Sequence, residues 1–200
     1  QCTLYTLLLT AYQLLLARHT GQEEILVSLP TAGRSNPALR EVIGYVTSPV
    51  IVRTPMAHHT TVAALLEQVQ AQIVAVLDHQ DYPFARLVER LNPPRDPSRT
   101  PVAQCSFAFQ RPLRAQEVLQ SPEGYHVGQL QLQLLPLSFP LNAGQEDIAL
   151  DLLETEEFLS GNLKGSADLF TPATLERMAA RLSHLLEALT QEGMLQRPIA

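Results

Sequence analysis

Apolar and polar positions along the chain change their period several times, and each change marks an element. Residues 3–19 are apolar on nearly every side, which predicts a buried helix ended by Gly21. EEILVSLPTAGR follows, with a short apolar strand from Ile25 to Leu29 that runs into a Pro/Gly turn. VIGYVTSPVIVRT is rich in β-branched residues and predicts a second strand, bounded by Gly44 and Pro55. Val62, Leu65, Leu66, Val69, Ile73, Val76 and Leu77 then fall at helical spacing. Pro83 ends that helix, because its ring excludes helical geometry at Tyr82. A further helix carries Phe84, Leu87, Val88 and Leu91 on one side, and Asp81 stands where a carboxylate can cap it.

After a proline-broken loop, VAQCSFAFQ predicts a strand with Cys105, Phe107 and Phe109 on one face. Residues 111–125 carry no pattern, and HVGQLQLQLL alternates as one strand. DIALDLLET and FLSGNLKGSADLF predict a hairpin or two neighbouring strands. The last helix has Thr171 as N-cap, Pro172 at its first position, and Leu175, Met178, Leu182, Leu185, Leu186 and Leu189 along one side. The sum is an α/β chain of one domain, residues 1–200, with about six strands in a mixed sheet flanked by helices.

Composition narrows the function classes. A net charge of −6 argues against a nucleic-acid partner, which requires a cationic face. The opening apolar run is about fifteen residues and is broken by Thr3, Thr6, Thr10 and Gln13, short of the roughly twenty that span a membrane. Cys2 and Cys105 form no metal-type spacing and suit a reducing, cytoplasmic compartment. A chain that opens on its most buried helix without a preceding cap predicts that protein precedes Gln1.

Catalytic constellations are scarce. His79, Asp81 and Tyr82 crowd together, but sequence neighbours rarely converge on one substrate atom, and a helix break explains them. His58-His59 lacks the acid and glycine that an acyltransferase motif needs at positions 63 and 64, where Ala63 and Ala64 stand. Ser28, Ser98 and Ser106 lack a nucleophile elbow, and LPTAGRS has no phosphate-binding lysine. Arg95, Asp96, Ser98 and Arg99 read as a self-pairing loop. No spacing supports a metal.

Taken in order, SLPTAGR, IGYVTSPVIVR, HQDYPF, RDPSRTP with the CSFAFQ strand, and SGNLKGSADLFTPATLERMAARLSHLLEAL resemble the C-terminal half of condensation domains. These belong to nonribosomal peptide synthetases and hybrid polyketide–peptide assembly lines. The resemblance implies a chloramphenicol-acetyltransferase-like lobe, one of two that enclose a tunnel. It implies that donor and acceptor carrier proteins present thioesters on phosphopantetheine arms, with no cofactor bound directly. It places the His-His-x-x-x-Asp-Gly motif on an N-terminal lobe outside this sequence, so the lobe alone is expected to be inactive.

The same resemblance nominates tunnel residues Ser28, Pro30, Thr31, Gly33, Arg34, Ser48 and Arg53, with Ala32 in the same turn. It makes His79, Gln80, Asp81, Pro83, Phe84, Arg95, Asp96, Ser98 and Arg99 architectural. Where the family has Phe-Val-Asn, this chain has Val46, Thr47 and Ser48, so normal substrate positioning is in question. CSFAFQ favours amide-forming condensation over epimerisation. Heterocyclisation stays open, and residues 111–146 are candidates for a segment that crosses to the other lobe. Expected partners are the N-terminal lobe, both carriers and adjacent synthetase modules, with no membrane. Two rival readings stand: a non-catalytic module that recruits a carrier or tailoring enzyme, and a lobe that self-associates through its bare face.

Overall fold

The structure, a computed structural model, describes residues 2–57, 60–111, 125–127, 130–132, 146–154, 158–191 and 193–199. Helix α1 spans Leu4–Thr20. It does have a cap, contrary to expectation: Thr3 Oγ1 accepts from the Thr6 N–H at 3.1 Å. Gly21 ends it at φ +67° and donates back to the Ala17 carbonyl at 2.8 Å. The helix is apolar all round because three neighbours cover it: α2 (Val62–Asp78), the last helix α4 (Pro172–Leu189) and the sheet. Helix α3 (Phe84–Leu91) lies against strand β2 (Ser48–Pro55). On α3, Phe84, Leu87 and Val88 are half-buried while Leu91 is exposed.

Five strands form the main sheet in the order β2–β1–β3–β6–β7. Their ranges are β1 Glu24–Thr31, β3 Cys105–Gln110, β6 Ile148–Glu154 and β7 Leu159–Gly165. Pairs β1–β2 and β6–β7 are antiparallel; β1–β3 and β3–β6 are parallel. The sheet is therefore mixed, as the sequence predicts.

Strand alternation sets the layers. Ile25, Val27, Leu29, Val50, Val52, Phe107, Ile148 and Leu150 are buried in one core with Leu8, Leu9, Leu15, Leu65, Val69, Met178 and Leu182 of the helices. Phe107 stacks against Tyr12 of α1, with ring centroids 6.2 Å apart. The opposite sheet face carries Leu26, Ile51, Ser106, Ala108, Ala149 and Asp151, all half-buried. A short bridge between Thr61 and Pro198 ties the C-terminal segment to the start of α2.

Three sequence expectations change. HVGQLQLQLL is not one strand: Tyr125–Val127 (β4) and Leu130–Leu132 (β5) pair antiparallel as a separate two-stranded unit. The second strand begins at Ser48, not after Gly44, because residues 33–47 form a loop fastened on itself. Asp81 does not cap α3. Pro83 takes the N-cap position without a side-chain cap bond, and Asp81 Oδ1 instead accepts from Ser35 Oγ, 46 residues away.

Candidate functional site

β1 and β3 run parallel, and their carboxyl ends emerge side by side. Crevices at such ends are the usual ligand sites of open α/β sheets. Here they enclose a cavity of about 330 Å³. β1 and its turn contribute Pro30, Thr31 and Ala32; the chain before β2 contributes Thr47. β3 contributes Phe107 through Gln110, and α1 sends in Tyr5. Tyr5 meets Phe107 edge-on with centroids 5.3 Å apart and Phe109 at 6.1 Å. Burial pushes the Tyr5 hydroxyl up to about 12, so it keeps its proton at neutral pH.

The turn after β1 is built around two residues. Gly33 has φ +63°, and a Cβ there would sit 1.7 Å from the Val46 carbonyl oxygen. Only glycine permits both the left-handed turn and this close approach. The Arg34 guanidinium donates to the carbonyls of Leu39 and Arg40 and, at 2.9 Å, Val42. It thus organises the loop that contains the 3₁₀ turn Pro37–Leu39. Beyond that turn, Ile43 and Tyr45 stand fully exposed.

The tunnel candidates therefore divide. Pro30 and Thr31 line the cavity, and Ala32 beside them does too. Ser48 adjoins it, its carbonyl accepting from Thr31 Oγ1 at 2.7 Å. Gly33 and Arg34 shape the neighbouring loop. Ser28 is nearly buried in mid-strand, paired with Ser106. Arg53 lies toward the other end of β2, in a 2.6 Å ion pair with Glu24 that holds the Glu24 carboxyl below its usual range. Sequence reading assigned Phe107 and Phe109 to a strand face and gave Tyr5 no site role. Only the parallel register that brings α1, β1 and β3 to one end reveals them together.

The other motif residues make local joints. His79 Nδ1 bonds the Ala75 carbonyl at 2.9 Å, and Gln80 Nε2 donates to Leu77 O at 3.0 Å, which together finish α2. Asp96 accepts from the Ser98 N–H at 2.9 Å and its hydroxyl at 2.6 Å, and pairs with Arg99 at 2.9 Å. The Ser98 bonds hold the Asp96 carboxyl below its usual range. Two larger cavities, about 680 and 910 Å³, flank this proline loop, with Arg95 lining the second. Of the charged groups that line them, Asp96 and Arg99 pair with each other. The smaller cavity at the strand ends is the one that Pro30 and Thr31 of the tunnel candidates line.

His58 and His59, and nearly all of residues 111–146, lie outside the described residues. Among the described residues no three His, Cys, Asp or Glu side chains cluster as a metal site, and no helix is long and apolar enough to cross a membrane. Among the described residues the cavity is lined by no carboxylate, histidine or lysine. These residues can hold and orient an uncharged group, but they supply no general base.

Comparison with known proteins agrees with this geometry. A sequence profile for the condensation domain matches residues 1–197. Malpinin synthetase of Mortierella alpina is 31% identical over 198 residues, covering 99% of this chain and 2% of that protein. Surfactin synthase subunit 1 of Bacillus subtilis (strain 168) is 33% identical over 185 residues, 92% of this chain and 5% of that protein. The chain thus spans a small fraction of these relatives. A holo four-domain nonribosomal peptide synthetase, solved with AMP and glycine, superposes at TM-score 0.86 with 28% identity, over 99% of this chain and 15% of that one. The X-domain from teicoplanin biosynthesis shares the fold at TM-score 0.82 and 24% identity, over 98% of this chain and 43% of that one. With a profile match along nearly its whole length and a chloramphenicol-acetyltransferase-like fold, the chain belongs to the condensation-domain family of nonribosomal peptide synthetases.

Proposed function

We propose that this chain is the C-terminal lobe of an amide-forming condensation domain and lines one side of a tunnel between two lobes. The observation that carries this reading is the cavity at the ends of β1 and β3. Pro30, Thr31 and Ala32 of SLPTAGR, Thr47 before β2, Tyr5 and Phe107–Gln110 line it, and among the described residues none of these is a base. An N-terminal lobe bearing His-His-x-x-x-Asp-Gly would supply the base, and the acceptor amine would attack the donor thioester. Donor and acceptor would arrive on phosphopantetheine arms of two carrier proteins in the cytoplasm, so the lobe itself needs no bound cofactor. Its 43% share of the X-domain chain supports a single lobe.

The test is a condensation assay with two loaded carriers, run with this chain alone and with the chain plus an N-terminal lobe. Product only with both lobes is the expected result. Product from this chain alone would overturn the reading and return attention to His58, His59 and His79.

A second reading, recruitment without bond formation, has its own support. Ser48 stands where the resemblance implies an asparagine, and a complex of an X-domain with OxyB from teicoplanin biosynthesis is among the structural neighbours. Carrier binding without product in either arm would favour it.

A further inference from the structure

We infer that the cavity at the carboxyl ends of β1 and β3 is a side-chain pocket that admits the uncharged, apolar side chain of a carrier-bound aminoacyl or acyl thioester and rejects charged ones. The inference rests on the reading of the chain as one wall of a thioester-joining enzyme. It adds which substrates that wall selects.

Size comes first. About 330 Å³ lies at the small end of ligand pockets, enough for one side chain and too little for a pantetheine arm with its cargo. Chemistry comes second. Among the described residues the lining contains no Asp, Glu, Lys, Arg or His, so an ionised side chain would lose its water there without gaining a counter-charge from them. Thr31 offers no free proton, because its hydroxyl donates to Ser48 O. Rigidity comes third. The edge-on contacts of Tyr5 with Phe107 and Phe109 pack the three rings into one aromatic wall. Among the described residues the Tyr5 hydroxyl makes no hydrogen bond, so it is a neutral donor inside the chamber, with the Thr47 hydroxyl and the Gln110 amide as neutral polar groups at its rim. Ala32, Thr47 and Gln110 are exposed and form the mouth.

The test uses the complete parent synthetase with carriers loaded with leucyl, phenylalanyl or aspartyl thioesters, varied on the donor and acceptor sides in turn. The expected result is a preference of roughly 100-fold in kcat/KM for the apolar side chains over aspartyl on one side. Thr47→Lys, at the exposed mouth, should narrow that preference by about tenfold by giving aspartyl a partner. Ala32→Phe should depress phenylalanyl more than leucyl by filling the entrance. Both positions are exposed, so melting like wild type separates selectivity from misfolding, and either variant alone is decisive. Product with no side-chain preference on either side, unchanged in both variants, would overturn the pocket and leave the enzyme reading standing. No product with any thioester in the wild-type synthetase would overturn the enzyme reading and the pocket with it.

Discussion

Thr31 Oγ1 donates to the Ser48 carbonyl at 2.7 Å, across the last residue pair of the β1–β2 ladder. The bond pins the first residue of β2 to the rim of the cavity. Thr31→Val keeps the shape and removes the donor, leaving a partly buried carbonyl short of a partner. The expected loss is about 1 kcal/mol in urea unfolding. Thr31→Ser should recover most of it. Equal stability of the valine variant and wild type would show that the bond contributes nothing.

Gly33 and Gly21 form an internal control. Both have left-handed φ, +63° and +67°, but a Cβ at Gly21 meets nothing within 4 Å. Gly21→Ala should cost only the conformational strain, roughly 1–2 kcal/mol. Gly33→Ala adds a clash with the Val46 backbone, and should cost at least about 3 kcal/mol or move the loop. Denaturant unfolding of the two variants side by side tests the difference. If they lose equally, the close approach at Val46 carries no energy.

The Gln13–Thr54–Gln72 chain predicts unequal costs for removing its end and its middle. Gln13 Nε2 donates to Thr54 Oγ1 at 2.9 Å, and Thr54 Oγ1 donates to Gln72 Oε1 at 2.8 Å. Gln13 Oε1 is buried without a partner among the described residues. Gln13→Met removes one bond and also that orphan oxygen, two effects of similar size, so stability should change by less than about 1 kcal/mol. Thr54→Val strands polar groups on both sides and should cost about 2 kcal/mol or more. Thermal melts rank the two, and a Gln13→Met loss as large as that of Thr54→Val would refute the argument.

Alkaline pH should weaken the fold in a defined window. Burial pushes the Cys105 thiol from 9.0 up to about 11. Between those values the folded chain keeps a proton that the unfolded chain releases. Stability is therefore full below about pH 9 and falls as pH rises toward 11. Tyr5, raised from 10.0 to about 12, and Tyr12, also raised by burial, extend the decline upward. Cys105→Ala should flatten the loss between pH 8 and 11 by about 2 kcal/mol in urea titrations. An unchanged slope would mean that the thiol is not the group released.

Much of the architecture is written locally. The all-round apolar run of α1 announces a helix covered on several sides, and Thr171-Pro172 fixes the start of α4, where Thr171 Oγ1 accepts from the Thr174 N–H. β6 and β7 were legible as neighbours because each keeps its own alternation. What escaped is long-range. Alternation at period two cannot tell one strand from two arms that keep phase, so β4 and β5 were merged. Asp81 before a helix reads as a cap, and nothing near it in sequence announces Ser35. Tyr5 and Phe109 are more than half the chain apart, and only the sheet register makes them neighbours. The motif SLPTAGR marked the right end of β1, but Arg53 shared a strand with Ser48 without sharing its end.

The strand order also dictates when the sheet can form. Synthesis delivers α1, β1, β2 and α2 first, and β1–β2 can close as a local antiparallel pair. The inner neighbour of β1 is β3, which pairs with it at Ser28 and Ser106 and is made only after α2 and α3. Until then β1 shows the ribosome's surroundings a bare edge flanked by Val27 and Leu29. Parallel pairings across such separations close slowly, and an unpaired apolar edge is where nascent chains aggregate. The central strand of the finished sheet thus arrives only after the midpoint of the chain, and the growing polypeptide is most vulnerable while it waits for Cys105–Gln110.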